Sequence, residues 1–117
     1  DINIECLKSS VRDCARRAFP EECCGLIVNK DGVKSIEELK NLSRLPRTSF
    51  LIDAYEMLGK DVCCIYHSHP EGSAEASIPD KTYCNEVRIP FLIYGFKDDD
   101  FSLLMPEEDC VIDEGAR

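Results

Sequence analysis

Long apolar runs are missing from this 117-residue chain. None approaches the roughly 20 residues of a membrane span, so no membrane association is expected. No charged-then-apolar leader with a small-residue cleavage site opens the sequence. Positive charge is the minority sign, with 14 Lys and Arg against 23 Asp and Glu and a formal net charge of −9. Nucleic-acid binding needs a concentrated positive field, so nucleic acid is not an expected partner. The short basic group Arg12, Arg16 and Arg17 reads as a solvated helix face. Internal repeats and low-complexity stretches are absent. So is any Cys-x-x-Cys pair, which removes a thioredoxin-type redox motif and a paired-hairpin zinc site. The sequence also lacks His-Glu-x-x-His and the deaminase pattern of His-x-Glu with Pro-Cys-x-x-Cys.

What is there suits one globular domain spanning 1–117. The hydrophobic content of 44% is near the globular norm. The chain has eight cysteines and two histidines. Cys23–Cys24 and Cys63–Cys64 are adjacent pairs, and neighbours on a strand point to opposite faces. Such a pair does not aim two sulfurs at one metal. The cysteines therefore read as reduced, buried, small hydrophobes, which fits a cytoplasmic compartment.

Ile4, Leu7, Val11, Cys14 or Ala15, and Ala18 recur at helical steps and predict a helix over 3–19, closed by Pro20. Residues 24–29 predict a strand before the turn Lys30-Asp31-Gly32. Residues 33–42 predict a second strand and 49–52 a short third. Asp53 is a candidate cap for a helix to about Lys60, with Ala54, Met57 and Leu58 inward. Residues 62–67 form an apolar strand ending in polar residues, followed by a loop over 70–79. A short helix starts at Pro79 and Asp80 and runs to about Val87. Strands are expected at 91–94, 101–105 and 110–112. The order implies a mixed α+β fold with a single curved, mixed β-sheet flanked by helices.

Both histidines are spent on one turn, His67-Ser68-His69-Pro70. Strand alternation puts His67 and His69 on one face and Ser68 on the other. Cys63 falls on the His67 face by the same count. Asp80 follows after a loop long enough to fold back. Two imidazoles and one carboxylate make three metal ligands and leave a fourth position open, the pattern of a catalytic zinc site. A closed structural site would need a fourth protein ligand, which Cys24 or Cys63 would have to supply.

Ser77 and Asp80 complete the string His-Ser-His-Pro, six residues, Ser, two residues, Asp. By chance such a string arises in about one in 10⁵ chains of this size. It resembles the signature of the JAMM (MPN+) zinc metalloprotease family, whose fold is related to that of cytidine deaminase. In that family a glutamate completes the site from a Pro-x-Glu-x-Cys-Gly context. Pro20-Glu21-Glu22-Cys23-Cys24-Gly25 matches it, with Glu22 as the family glutamate.

The resemblance implies a Zn²⁺ ion on His67, His69 and Asp80. It implies Glu22 as general base and Ser77 as hydrogen-bond donor to the oxyanion. The implied activity is hydrolysis of a peptide or isopeptide bond. The implied partner is a protein substrate, such as the C-terminal tail of a ubiquitin-like or sulfur-carrier protein. The chain leaves no room for the insertions of the eukaryotic deubiquitinating members and looks like the compact prokaryotic and phage type. One phage branch serves in tail assembly, and residues 85–91 resemble it somewhat more. The alternative is a non-catalytic scaffold in a larger complex. Such relatives typically lack one or more ligands, and Glu22, His67, His69, Ser77 and Asp80 are all present.

Overall fold

The computed structural model describes residues 4–108. Helix α1 (Ile4–Ala18) is followed by strands β1 (Cys24–Lys30) and β2 (Val33–Leu39). A single 3₁₀ turn (Ala54–Met57) precedes β3 (Asp61–His69), helix α2 (Ile78–Val87), β4 (Phe91–Gly95) and β5 (Asp100–Leu104). The expected mixed α+β architecture is present. The five strands form one sheet in the order β2-β1-β3-β4-β5. β3 and β4 run parallel, and the other pairings are antiparallel. The parallel pair requires a crossover, and α2 supplies it. The expected strand at 110–112 lies outside the described residues.

β1 and β2 are joined through Asp31 and Gly32, with φ of 55° and 80°. Lys30 pairs with Val33 across them. Two consecutive positive φ values in a two-residue loop define the twist-matched hairpin turn that Asp-Gly favours. Central β1 and β4 read as continuous apolar runs because both of their faces are covered.

On one face, Leu7, Val11, Cys14 and Ala15 of α1 pack over Ile27, Cys64, Tyr66 and Leu92. Burial decides this docking. Each fully buried aliphatic side chain is worth about 1.5–3 kcal/mol. The exposed Arg17–Glu38 ion pair at 2.8 Å adds at most about 1 kcal/mol. On the other face, Phe50, Ile52 and Cys84 close over Cys24, Leu26, Ile65, Phe91 and Ile93.

Three expectations are corrected. Residues 49–52 are extended but form no strand. Phe50 and Ile52 are buried as alternation requires. However, the Leu51 N–H donates to Asn41 Oδ1 and the Ile52 N–H to the Tyr83 hydroxyl, rather than to a neighbouring strand. The helix expected after Asp53 is one 3₁₀ turn with no buried residue. Asp53 does cap it, accepting from the Tyr55 N–H, but Leu58 is 69% exposed and has no core to join. Cys63 packs with the α1-side cluster, not on the His67 face. A register shift lets Ile27 pair with Cys64 and Val28 with Val62, so Cys63 is skipped and the alternation slips by one. In addition, β2 ends at Leu39, short of the expected 42.

Candidate metal centre

The site is built where β3 ends beside the start of α2. From Ile65 onward the alternation is regular, so His67 and His69 share the face opposite α1 while Ser68 points the other way. His67 is fully buried and His69 is partly exposed. The next seven residues loop past the end of β4 and return at Ser77. Gly95 of β4 is what lets them pass, because a Cβ there would collide with the backbone of Ser73 and Ala74.

Ser77 is the N-cap of α2. Its hydroxyl oxygen accepts the Asp80 N–H at 3.1 Å, and Asp80 Oδ2 accepts the Ser77 N–H at 3.0 Å. This reciprocal capping box fixes the first turn of the helix. It also fixes the Asp80 carboxylate over the strand. Asp80 Oδ1 lies 3.0 Å from His67 Nε2, and Oδ2 lies 3.0 Å from His69 Nε2. One ligand atom from each of the three residues falls within 4.8 Å of the others.

The donor chemistry suits a metal ion. His69 Nδ1 lies 2.7 Å from the Ser73 carbonyl oxygen, which only accepts, so Nδ1 carries a proton; that leaves Nε2, 3.0 Å from Asp80 Oδ2, as the nitrogen that would bind a cation or, without one, donate to the carboxylate. Such a backbone partner behind a ligand imidazole is the usual orienting device of metal sites. The His67 ring stacks on Phe50, with centroids 4.2 Å apart, and meets Phe91 edge-on. Neither ring nitrogen of His67 makes a hydrogen bond, although both are buried. An orphaned buried imidazole nitrogen 3.0 Å from a carboxylate is costly in this form, and a cation between the two would satisfy both.

Without a metal, the two imidazoles ionise differently. Burial lowers the His67 pKa and keeps the ring neutral. Burial also opposes charge on His69, but its bonds to Asp80 and the Ser73 carbonyl outweigh that and raise its pKa. Burial pushes the Asp80 carboxyl up. The two histidines and the Ser77 N–H overcome it and hold Asp80 far below the usual carboxylate range.

Glu22 sits just before β1 and is 6% exposed. With Ser77, His69 and Asp80 it lines an open cavity of about 620 Å³, whose rim includes Arg47 and Tyr83. Burial pushes its carboxyl up to about 8; His69 pulls the other way, and Asp80 reinforces the rise. All five residues singled out in the sequence are therefore at this one place: His67, His69 and Asp80 converge, and Glu22 and Ser77 face the same cavity. Cys24 and Cys63 are not in the cluster. Cys24 packs in the core, with its thiol 3.7 Å from the Leu39 carbonyl. The seven described cysteines are free thiols.

Three contributors were not foreseen: Phe50 against His67, the Ser73 carbonyl behind His69, and Asn41, which holds the segment carrying Phe50. For Asn41 a signal existed. Asn-x-Ser favours the turn in which the Ser43 N–H donates to Asn41 Oδ1, found here at 3.0 Å.

A family model of prokaryotic homologues of the JAB domain matches residues 5–105. The chain belongs to this family. The resemblance to JAMM and MPN proteins read from the sequence is thereby shown. Among curated proteins, this JAB-domain chain is 28% identical over 96 residues to tail tip assembly protein K of Escherichia phage N15. The match covers 79% of the chain and 40% of that protein. It is 32% identical over 102 residues to a probable TtuB-protein conjugate cleaving protease of Thermus thermophilus, covering 78% of the chain and 66% of that protein. The chain thus spans less than two thirds of either relative. In fold, it resembles a solution structure from Desulfitobacterium hafniense with a TM-score of 0.64 at 22% identity, covering 92% of this chain and 94% of that one. It also resembles a JAB1/MPN domain protein from Archaeoglobus fulgidus with a TM-score of 0.57 at 19% identity, covering 86% and 82%. Among the described residues, no helix is long and apolar enough to cross a membrane.

Proposed function

We propose that residues 1–117 are a zinc-dependent metallopeptidase domain that hydrolyses a peptide or isopeptide bond. The observation that carries this reading is the convergence of His67, His69 and Asp80 beside a cavity that Glu22 and Ser77 also line. Zinc held by the three ligands would polarise the scissile carbonyl, lower the pKa of the attacking water and favour the ionised form of Glu22. A non-catalytic scaffold has no need to keep a buried imidazole without hydrogen bonds, an acidic ligand and a buried glutamate around one opening.

The chain's own residues supply the rest. Glu22 takes a proton from the attacking water and delivers it to the leaving amine, which its position on the cavity wall supports. His69 is held in one tautomer by the Ser73 carbonyl, so its Nε2 stays available as a ligand. Phe50 and Phe91 pack against the His67 ring and exclude water from that side.

Ser77 has two parts to play at once. Its oxygen accepts from the Asp80 N–H, and its hydroxyl hydrogen is left to point into the cavity as an oxyanion donor. Ser77→Ala is expected to lower kcat by about 10²–10³ and stability by about 1 kcal/mol through loss of the cap. Ser77→Thr, which keeps both functions, should restore most of each. Steady-state kinetics beside thermal melts will separate them, and an Ala variant losing only stability would remove the oxyanion role.

The substrate class follows the relatives. Similarity to a TtuB-protein conjugate cleaving protease supports a ubiquitin-like tail, and similarity to a phage tail tip assembly protein supports processing within tail assembly. The free thiols support a reducing, cytoplasmic location. The test is a fusion in which a ubiquitin-like domain ending in Gly-Gly precedes a reporter. Zinc-loaded protein should cut after the second glycine, chelator should stop the cutting, and added zinc should restore it. Cleavage that chelator leaves unchanged would refute the metal-dependent mechanism.

A further inference from the structure

Every hydrogen bond described for Glu22 is made by its backbone. Its N–H donates to the Pro46 carbonyl at 2.7 Å, and its carbonyl accepts from Asn41 Nδ2 at 3.1 Å. The next peptide is tied to the ligand strand, with the Cys23 N–H donating to Ser68 Oγ at 2.9 Å and the Ser68 N–H to the Cys23 carbonyl at 3.2 Å. The glutamate is thus gripped from β3 on one side and from the segment 41–51 on the other.

Asn41 organises that second grip. Besides Glu22, Nδ2 donates to the Ser49 carbonyl at 3.0 Å and reaches, more weakly, the Pro46 carbonyl at 3.5 Å. Oδ1 accepts the N–H groups of Ser43 and Leu51 at 3.0 and 3.2 Å. Two donors and two acceptor sites use the full capacity of an amide. The orientation of the amide is also determined, because a flip would set oxygen against two carbonyls and NH₂ against two N–H groups. The residues bracketed by these bonds include Phe50, whose ring lies on His67.

We propose that Asn41 is a positioning residue for the catalytic glutamate, locking the Glu22 peptide to the 41–51 segment so that the carboxylate and the Phe50–His67 stack hold one fixed geometry. The proposal rests on the reading of Glu22 as general base. Its structural half stands apart from that reading and is tested apart from it.

Asn41→Asp removes the donor while keeping the acceptor for Ser43 and Leu51, and Asn41→Ala removes both. Ser43→Ala is the control, since it cuts bonds inside the loop without touching Glu22. Amide hydrogen exchange on the metal-free proteins should show Glu22 exchanging at least about tenfold faster in both Asn41 variants, with Ile65 in the core unchanged and Ser43→Ala like wild type. In zinc-loaded enzyme on the Gly-Gly fusion, kcat should fall about tenfold with KM within about twofold and zinc content unchanged. Faster exchange confined to Ser49 and Leu51, with Glu22 protected as in wild type, would overturn the proposal. So would equal effects from Ser43→Ala, or a KM change without a kcat change. If wild type cuts no such fusion, either the substrate assignment or the reading of Glu22 as a base fails, while the exchange result still decides the clamp.

Discussion

Glu22→Gln should abolish cleavage and at the same time make the metal-free protein more stable. The substitution keeps the size and shape of the side chain and removes its ability to carry a proton from water to the leaving amine. A positioned acid–base group contributes about 10²–10⁴ to rate, so a loss of roughly 10³-fold or more in kcat is expected, with KM and zinc content little changed.

The stability gain follows from burial. In the unfolded chain the glutamate ionises near its ordinary value of 4.5, and in the fold burial pushes it up to about 8. The folded state therefore holds the proton more tightly. Its stability falls as the pH rises above 4.5, and the loss is complete only above about 8. Glutamine has no such loss. The metal-free variant should therefore be more stable than wild type at pH 8, with a Tm raised by several degrees, and no more stable at pH 4. Thermal melts across pH give this directly. A variant that cleaves normally, or that is destabilised at pH 8, contradicts the role and the environment assigned to Glu22.

Asp80→Asn should empty the metal centre without unfolding the helix that carries it. An asparagine oxygen can still accept the Ser77 N–H, so the capping box survives. What disappears is the negative charge set between His67 and His69. Two neutral imidazoles are a far weaker trap for a divalent cation than two imidazoles and a carboxylate. Zinc retained through dialysis should drop to near zero, and cleavage should fall to that of chelated wild type. The metal-free variant should also lose the pH dependence that Asp80 confers. Its carboxyl is held below the ordinary range in the fold, so that stabilisation is present above the ordinary carboxylate pKa and fades as the pH falls. Zinc titration by calorimetry beside melts at two pH values will show both effects. Wild-type zinc affinity in the variant would remove Asp80 from the ligand set.

The sequence displayed the candidate ligands more clearly than their setting. His67, His69 and Asp80 could be read because two periodic elements carry them: a strand whose alternation puts both rings on one face, and a helix whose first turn carries Asp80 three residues after its Ser77 cap. Helix α1 and the Asp-Gly hairpin were legible for similar local reasons. The segment 41–57 was not. Its extended stretch answers to the Asn41 and Tyr83 side chains rather than to a strand. Its capped turn stops at Met57 because Tyr55 and Leu58 meet solvent. That same segment supplies Phe50 to His67 and clamps Glu22, contacts made by residues far apart in sequence, which periodicity does not reveal. The place of Cys63 was lost to a single bulge. Such a shift leaves no mark in composition, yet it reverses every inference about faces that is counted across it.

The central claim is that His67, His69 and Asp80 form a zinc site. Elemental analysis of wild-type protein, produced with zinc supplied and dialysed against metal-free buffer, tests it most directly. The prediction is about one zinc per chain, lost together with a clear drop in Tm when a strong chelator is added. Protein that is fully folded yet carries no zinc, and whose Tm chelator leaves unmoved, would contradict it.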